Sequence, residues 1–168
     1  FHNTSSAHRS SADSLLVSAR WDFVVALDYD DDTIEWILGD TTKKWHQFSS
    51  LAQLSLDLGP NTSPPIGQHS VSLTRDNDLL LMDNGRNSLF LTPAGINRTY
   101  SAPRKYALNL DDRVATEDWN YTRNESIYSQ CCGSIYEDAP LNDHVDYAFI
   151  TAESVDTRAQ IVGRDHPG

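Results

Sequence analysis

The sequence contains two cysteines, one methionine and no apolar run near the roughly 18 residues that a bilayer-crossing helix requires. No membrane span is therefore expected. Basic residues are also scarce, 13 Lys and Arg against 24 Asp and Glu, for a formal charge of -11. A nucleic acid backbone would be repelled by that average field, and no Lys/Arg run offsets it, so nucleic acid is not an expected partner. A local cationic pocket for a small anion is still compatible with the composition, because the average does not fix the field inside a cleft. The two cysteines, Cys131 and Cys132, are adjacent, and no His or Cys at zinc spacing joins them, so no metal site is expected. They are disulfide candidates, but a bridge between neighbours strains the peptide between them. A distant partner would suit each better, and the sequence has none. No Ser-His-Asp or Gly-x-Ser-x-Gly arrangement suggests a serine hydrolase. The opening Phe1-His2-Asn3 has neither the basic nor the apolar region of a signal peptide. The expectation is a processed chain or, preferably, a piece of a longer protein.

What is present is ordinary globular composition with a marked excess of glycosylation motifs. The 168 residues, 39% hydrophobic and 22% charged, suffice for a packed core. Five Asn-x-Ser/Thr sequons stand at Asn3, Asn61, Asn97, Asn120 and Asn124, all in polar or turn-like stretches. One such motif means little, but five in this length point to the secretory pathway, N-linked glycans and a secreted or cell-surface location. Asn61 is the poorest acceptor, because Pro64 follows its Ser63.

Short β-like runs dominate. Ser14 to Arg20, Phe23 to Asp28 and Thr33 to Leu38 are rich in Val, Ile, Leu and Trp, and Asp-rich turns separate them. The module then recurs: Leu79 to Met82 echoes Leu15 to Ser18, Tyr106 to Asn109 echoes Val25 to Asp28, and Asp118-Trp119 echoes Glu35-Trp36. A third copy is predicted to open near 128–152, with Tyr147 to Ala152 in it. Repeated antiparallel sheets carrying one Trp each predict an all-β chain of two to three propeller-like blades, too few to close a ring of at least four. A small β-sandwich is the competing architecture. The copies are widely spaced, so 41–67 is an insert, apolar enough to pack down as a lid or to form a helical turn near Ser50 to Leu56. Trp36 and Trp119 hold equivalent repeat positions and are predicted core residues. Asp30-Asp31-Asp32 lacks the Gly and Glu of a calcium loop and reads as a solvated turn.

Gly67-Gln68-His69-Ser70-Val71, followed by Leu79 to Met82 and then Asp83-Asn84-Gly85-Arg86, resembles the arylsulfotransferase family, whose members carry a Gln-His pair before a strand ending in Asp-Asn-Gly. His2-Asn3-Thr4-Ser5, the Leu15 to Arg20 strand, Ile34 to Gly39, Trp119-Asn120-Tyr121 and Ser129 to Ser134 match further elements in register. The resemblance extends over most of 1–152. It implies a propeller whose central channel moves a sulfuryl group between phenolic esters and phenols through a sulfo-histidine, with no nucleotide cofactor. Aryl sulfates and phenols are then the implied ligands, and the rest of the propeller or neighbouring chains the implied protein partners.

Carried over position by position, His2, His69 and Arg86 match the family's catalytic and anion-binding residues. Imidazole and guanidinium suit this task because they donate charge-assisted hydrogen bonds to oxyanions. The residues alone leave alternatives: His69 bonding a strand end, Arg86 as a solvated residue after an Asn-Gly turn. The family's nucleophilic His falls on Asp156 or Tyr136, depending on the register chosen, and His144 and His166 lie outside the expected context. The expectation is therefore a glycosylated structural or binding module with reduced or absent catalysis, and the alternative is an active sulfotransferase.

Overall fold

The computed structural model describes residues 3–9, 13–140, 142–148 and 160–163, with residues 3–4 and 160–163 as backbone only. His2, Asp156 and His166 lie outside the described residues, as does most of the Tyr147 to Ala152 repeat.

Three antiparallel sheets follow one another along the chain. The first holds β1 (Asn3–Arg9), β2 (Ser14–Ala19), β3 (Phe23–Asp28) and β4 (Ile34–Gly39), paired in that order. A 3-10 turn at Lys44–Gln47 and a one-turn helix at Ser49–Ala52 come next. The second sheet begins with the edge strand β5 (Asp57–Leu58), which pairs parallel with its far strand. Its main body is β6 (His69–Leu73), β7 (Leu79–Asp83), β8 (Ala102–Asn109) and β9 (Val114–Asn120). The third sheet contains β10 (Ser134–Ala139), β11 (Asn142–Asp146) and β12 (Gln160–Gly163). The architecture is all-β, with propeller-like blades stacked in sequence rather than two sheets of a sandwich.

β7 shows why the blades stack. Its five residues Leu79 to Asp83 are all buried, as a strand covered on both faces requires. Leu79 and Leu81 point toward Leu16, Val24, Trp36 and Leu38 of the first sheet. Leu80 and Met82 point the other way, to Ile135, Val145 and Tyr147 of the third. The period-2 alternation of a strand thus uses one continuous apolar run to join three sheets. Each fully buried Leu or Ile contributes about 2 kcal/mol.

The two repeat tryptophans occupy corresponding places. Trp36 is packed between the first and second sheets, and Trp119 packs against the cluster between the second and third. Trp36 is 2% exposed, whereas Trp119 is only half-buried and stacks on Tyr121. The insert after β4 folds back on the first sheet, where Trp45, Leu51 and Leu54 cover Val25 and Ile37. The acidic segment after β3 is an exposed turn in which Asp28 Oδ1 accepts the Asp30 and Asp31 N–H groups.

Lys105 on β8 carries a pH signature. Its Nζ lies 2.7 Å from Asp118 and 3.4 Å from Asp78. Burial alone would lower its pKa, but the two carboxylates outweigh burial and hold it above the ordinary 10.5. The folded state therefore binds this proton more tightly than the unfolded chain. The stability it adds is complete below pH 10.5 and is lost as pH rises through the higher folded value. Urea midpoints measured across that range should fall more steeply for the wild type than for Lys105→Met.

Candidate functional site

β1, β6 and β10 lie side by side, and their starting ends bring together Arg20, Arg86 and His69. β2 finishes at Ala19 opposite Asn3, placing Arg20 at this end. β6 begins at His69 opposite Met82, and Arg86 follows β7 at the same end. The loop 129–132 runs into β10 from there. Gln68 ties the first two sheets together by donating from Nε2 to the Ala19 carbonyl at 3.2 Å.

A distortion aims His69. β6 shifts register between His69 and Ser72, and Ser70 has φ +55, a left-handed conformation uncommon for a residue with a Cβ. Bulges of this kind re-aim side chains beside functional sites. The imidazole Nδ1 lies 2.6 Å from Asn84 Oδ1 and 3.3 Å from the Cys132 nitrogen. Nδ1 cannot donate to the first and accept from the second at once. The Asn84 amide decides between them. Its Nδ2 donates both hydrogens, to the Ser129 carbonyl at 2.8 Å and the Cys132 carbonyl at 3.0 Å, so Oδ1 must face the ring. A separation of 2.6 Å between two acceptors would be repulsive, so Nδ1 carries the hydrogen and donates it to Asn84. In the neutral ring the lone pair then resides on Nε2.

Asn84 is fully buried, and a polar network holds it. Ser101 Oγ lies 3.0 Å from the Asn84 carbonyl and 2.9 Å from the Ser129 carbonyl, and it accepts the Ser129 N–H at 2.9 Å. One residue earlier, Asp83 is also fully buried. Its Oδ1 accepts the Ile66 N–H at 3.1 Å and the Gly85 N–H at 3.0 Å, and its Oδ2 pairs with Arg98 and, at 2.7 Å, with Arg104 Nε. Arg104 continues to Glu117 at 2.7 Å.

Two guanidiniums meet at Gln130. Arg20 donates to its carbonyl at 3.0 Å, and Arg86 donates to its side-chain Oε1. Neither has a carboxylate within ion-pair distance among the described residues. Arg20 Nε is buried and has no hydrogen-bond partner there. Burial pulls the Arg20 pKa down, the nearby cysteine sulfurs oppose this, and Arg86 adds repulsion in the same sense as burial. Two guanidiniums and an imidazole thus surround one short loop, with no carboxylate on either guanidinium among the described residues, and this cradle of donors is chemically suited to an oxyanion.

Aromatic contacts lead from Arg20 through the buried Trp21 to Phe90. Arg20 lies over the Trp21 ring at 4.1 Å, and Trp21 meets Phe90 edge to face at 6.2 Å. Phe90 is 80% exposed and borders a groove of about 510 Å³ lined also by Phe23, Trp45, Phe48 and Lys43.

The structure brings His69 and Arg86 to the same loop. Arg86 is half-buried at Gln130 rather than solvated after a two-residue hairpin, because 18 residues separate β7 from β8 and Asn84 is turned inward. His144 stacks on Tyr136 at 4.9 Å, and His8 pairs with Asp13, both away from the loop. His46 packs on Trp45. Tyr136 is an exposed strand residue. The Cys131 and Cys132 sulfurs lie 3.0 Å apart, unbonded. Four sequon asparagines, Asn61, Asn97, Asn120 and Asn124, are exposed, and the side chain of Asn3 lies outside the described residues. Sequence reasoning missed Arg20, Asn84 and Gln130 as site residues. Arg20 and Asn84 stand inside the quoted motifs, whereas Gln130 carries no signal of its own.

A family model described as Arylsulfotransferase (ASST) matches residues 1–163. No curated protein matches the chain.

Proposed function

The chain belongs to the arylsulfotransferase family, and from that premise we propose that the cradle binds the sulfate group of an aryl sulfate, with the aryl ring against Trp21 and Phe90. The observation that carries this reading is the pair Arg20 and Arg86, both bonded to Gln130 and both lacking a carboxylate among the described residues. A sulfate placed there would replace the missing counter-charge and take up the Arg20 Nε hydrogen. The protein is then a binding module, with transfer reduced or absent. Of its six histidines, His69 alone among the described residues contacts the 129–132 loop.

Calorimetric titration with 4-nitrophenyl sulfate tests the assignment. Arg20→Gln and Arg86→Gln should each weaken binding about tenfold, the equivalent of about 1.4 kcal/mol for a lost charge-assisted bond. Wild-type affinity in both variants would remove the cradle. Phe90→Ala separates the two halves of the site. It should weaken the aryl ester about fivefold, from the ~1 kcal/mol an aromatic edge contact adds, and leave inorganic sulfate unaffected.

A second reading is favoured by the tautomer of His69. With Nδ1–H held by Asn84, the Nε2 lone pair could attack sulfur, forming N–S as the aryl O–S bond breaks and phenolate departs. An acceptor phenol would then take the sulfuryl group from nitrogen and give its proton to solvent. Trapping a sulfo-histidine peptide containing residue 69 would support transfer. Its absence after incubation with the ester would leave binding as the function.

Secretion and N-glycosylation are part of the same proposal, supported by the exposure of Asn61, Asn97, Asn120 and Asn124. The half-buried Val17, Phe23 and Leu27 on the first sheet support further blades, in the same or a neighbouring chain, as its packing partner.

A further inference from the structure

We propose that Cys131 and Cys132 are a redox-sensitive vicinal pair whose closure into a disulfide resets the loop that orients His69. The two sulfurs lie 3.0 Å apart, about 1 Å beyond bonding distance. They are the sole cysteines of the 168-residue sequence, and both are half-buried.

The peptide unit between them is the one that an S–S bond would twist. Consecutive Cα atoms are about 3.8 Å apart across a trans peptide, shorter than disulfides usually span. Both polar atoms of that unit lie against groups of the site. The Cys131 carbonyl is 3.0 Å from Ser129 Oγ, and the Cys132 nitrogen is 3.3 Å from His69 Nδ1, a contact without a hydrogen bond because Nδ1 donates to Asn84. The Cys132 carbonyl accepts from Asn84, and Cys132 itself has φ +66. Closing the ring therefore shifts the groups that fix His69 without any rearrangement of a sheet. Strained disulfides belong to the readily reduced class, which makes the couple reversible.

The exchange requires an oxidant, here a small-molecule disulfide such as oxidised glutathione. Burial and the Cys131 thiol push the Cys132 thiol up to about 11, with Arg20 acting in the opposite sense, so the first attack falls to Cys131. Its thiolate forms a mixed disulfide and expels one glutathione thiolate. Cys132 then gives its proton to solvent and attacks the Cys131 sulfur, which breaks the mixed bond and releases the second glutathione. The protein loses two protons and two electrons, and one small disulfide becomes two thiols.

The effect on the ligand rests on the proposed sulfate cradle, whereas the redox couple and its effect on His69 do not. The test is equilibration of the protein in glutathione buffers, followed by peptide mass mapping without reductant and by NMR of the His69 imidazole. The expected result is one peptide carrying both cysteines and lacking two hydrogens, a shifted His69 resonance, and reversal of both by reductant. The Cys131→Ser/Cys132→Ser double variant should show neither change. A persistent glutathione adduct, a chain-to-chain bridge, or a His69 resonance identical in the two forms would overturn the proposal. The affinity for 4-nitrophenyl sulfate should differ several-fold between the two forms. Binding by neither form would sink the cradle instead, and the mass and the resonance would still decide the redox inference.

Discussion

Asp83→Ala is expected to destabilise the protein by about 3–5 kcal/mol, enough to leave much of it unfolded at ordinary temperature. Asp83 is fully buried and its two oxygens accept four hydrogen bonds, two from backbone N–H groups and two from guanidiniums. Arg104 is itself buried, and its remaining carboxylate, Glu117, cannot neutralise Arg98 as well. Removing the carboxylate strands charge where water does not reach, and this costs far more than the net worth of any one pair. It also frees Gly85, whose φ of +72 places it where a Cβ would meet the Tyr100 carbonyl at 2.2 Å. Chemical denaturation of wild type and variant measures the difference. A loss under 1 kcal/mol would mean that the network is solvated and that Asp83 does not organise the second sheet.

Asn84→Ala should abolish ordered binding at the cradle while the sheets stay folded. The substitution leaves the Cys132 carbonyl without its donor, His69 without its acceptor, and the Ser129 carbonyl with Ser101 Oγ alone. Each buried group so stranded costs about 1–3 kcal/mol, and the loop 129–132 can escape that cost by moving toward solvent. Gln130 then no longer bridges Arg20 and Arg86, so affinity for 4-nitrophenyl sulfate should fall by more than tenfold. A readout specific to positioning is the tautomer of His69. In the wild type Asn84 Oδ1 holds the Nδ1 hydrogen, so the ring nitrogen shifts should report Nδ1–H, and that preference should be lost in Asn84→Ala. Ring nitrogen shifts identical in the two proteins would refute the assigned tautomer.

The parts of this arrangement that are local in sequence were legible there. The Leu79 to Met82 run, which echoes Leu15 to Ser18, announces a strand, and the recurrence of Glu35-Trp36 as Asp118-Trp119 marks corresponding places in the two blades. His69 and Arg86 were readable from the Gln-His and Asp-Asn-Gly-Arg motifs. The remainder depends on contacts between distant segments. Arg20 reaches Gln130 across 110 residues and Asn84 reaches Ser129 across 45, and no periodicity encodes either. Asn84-Gly85 looks like a tight turn because that dipeptide favours positive φ. Its actual setting, a buried amide beneath an imidazole, is fixed by Ser101 and Ser129, which carry no motif. Trp119 shares a register with Trp36 but not its depth, because Trp119 packs at the edge of its cluster, against Tyr121.

The central claim is that Arg20, Arg86 and His69 converge on one oxyanion. Titrating sulfate into the protein while following the C–H resonances of its histidines tests it directly. Saturable movement of the His69 signal, with the response lost in Arg20→Gln, is the predicted result. A silent His69, or movement of His8, His46 or His144 in its place, would contradict it.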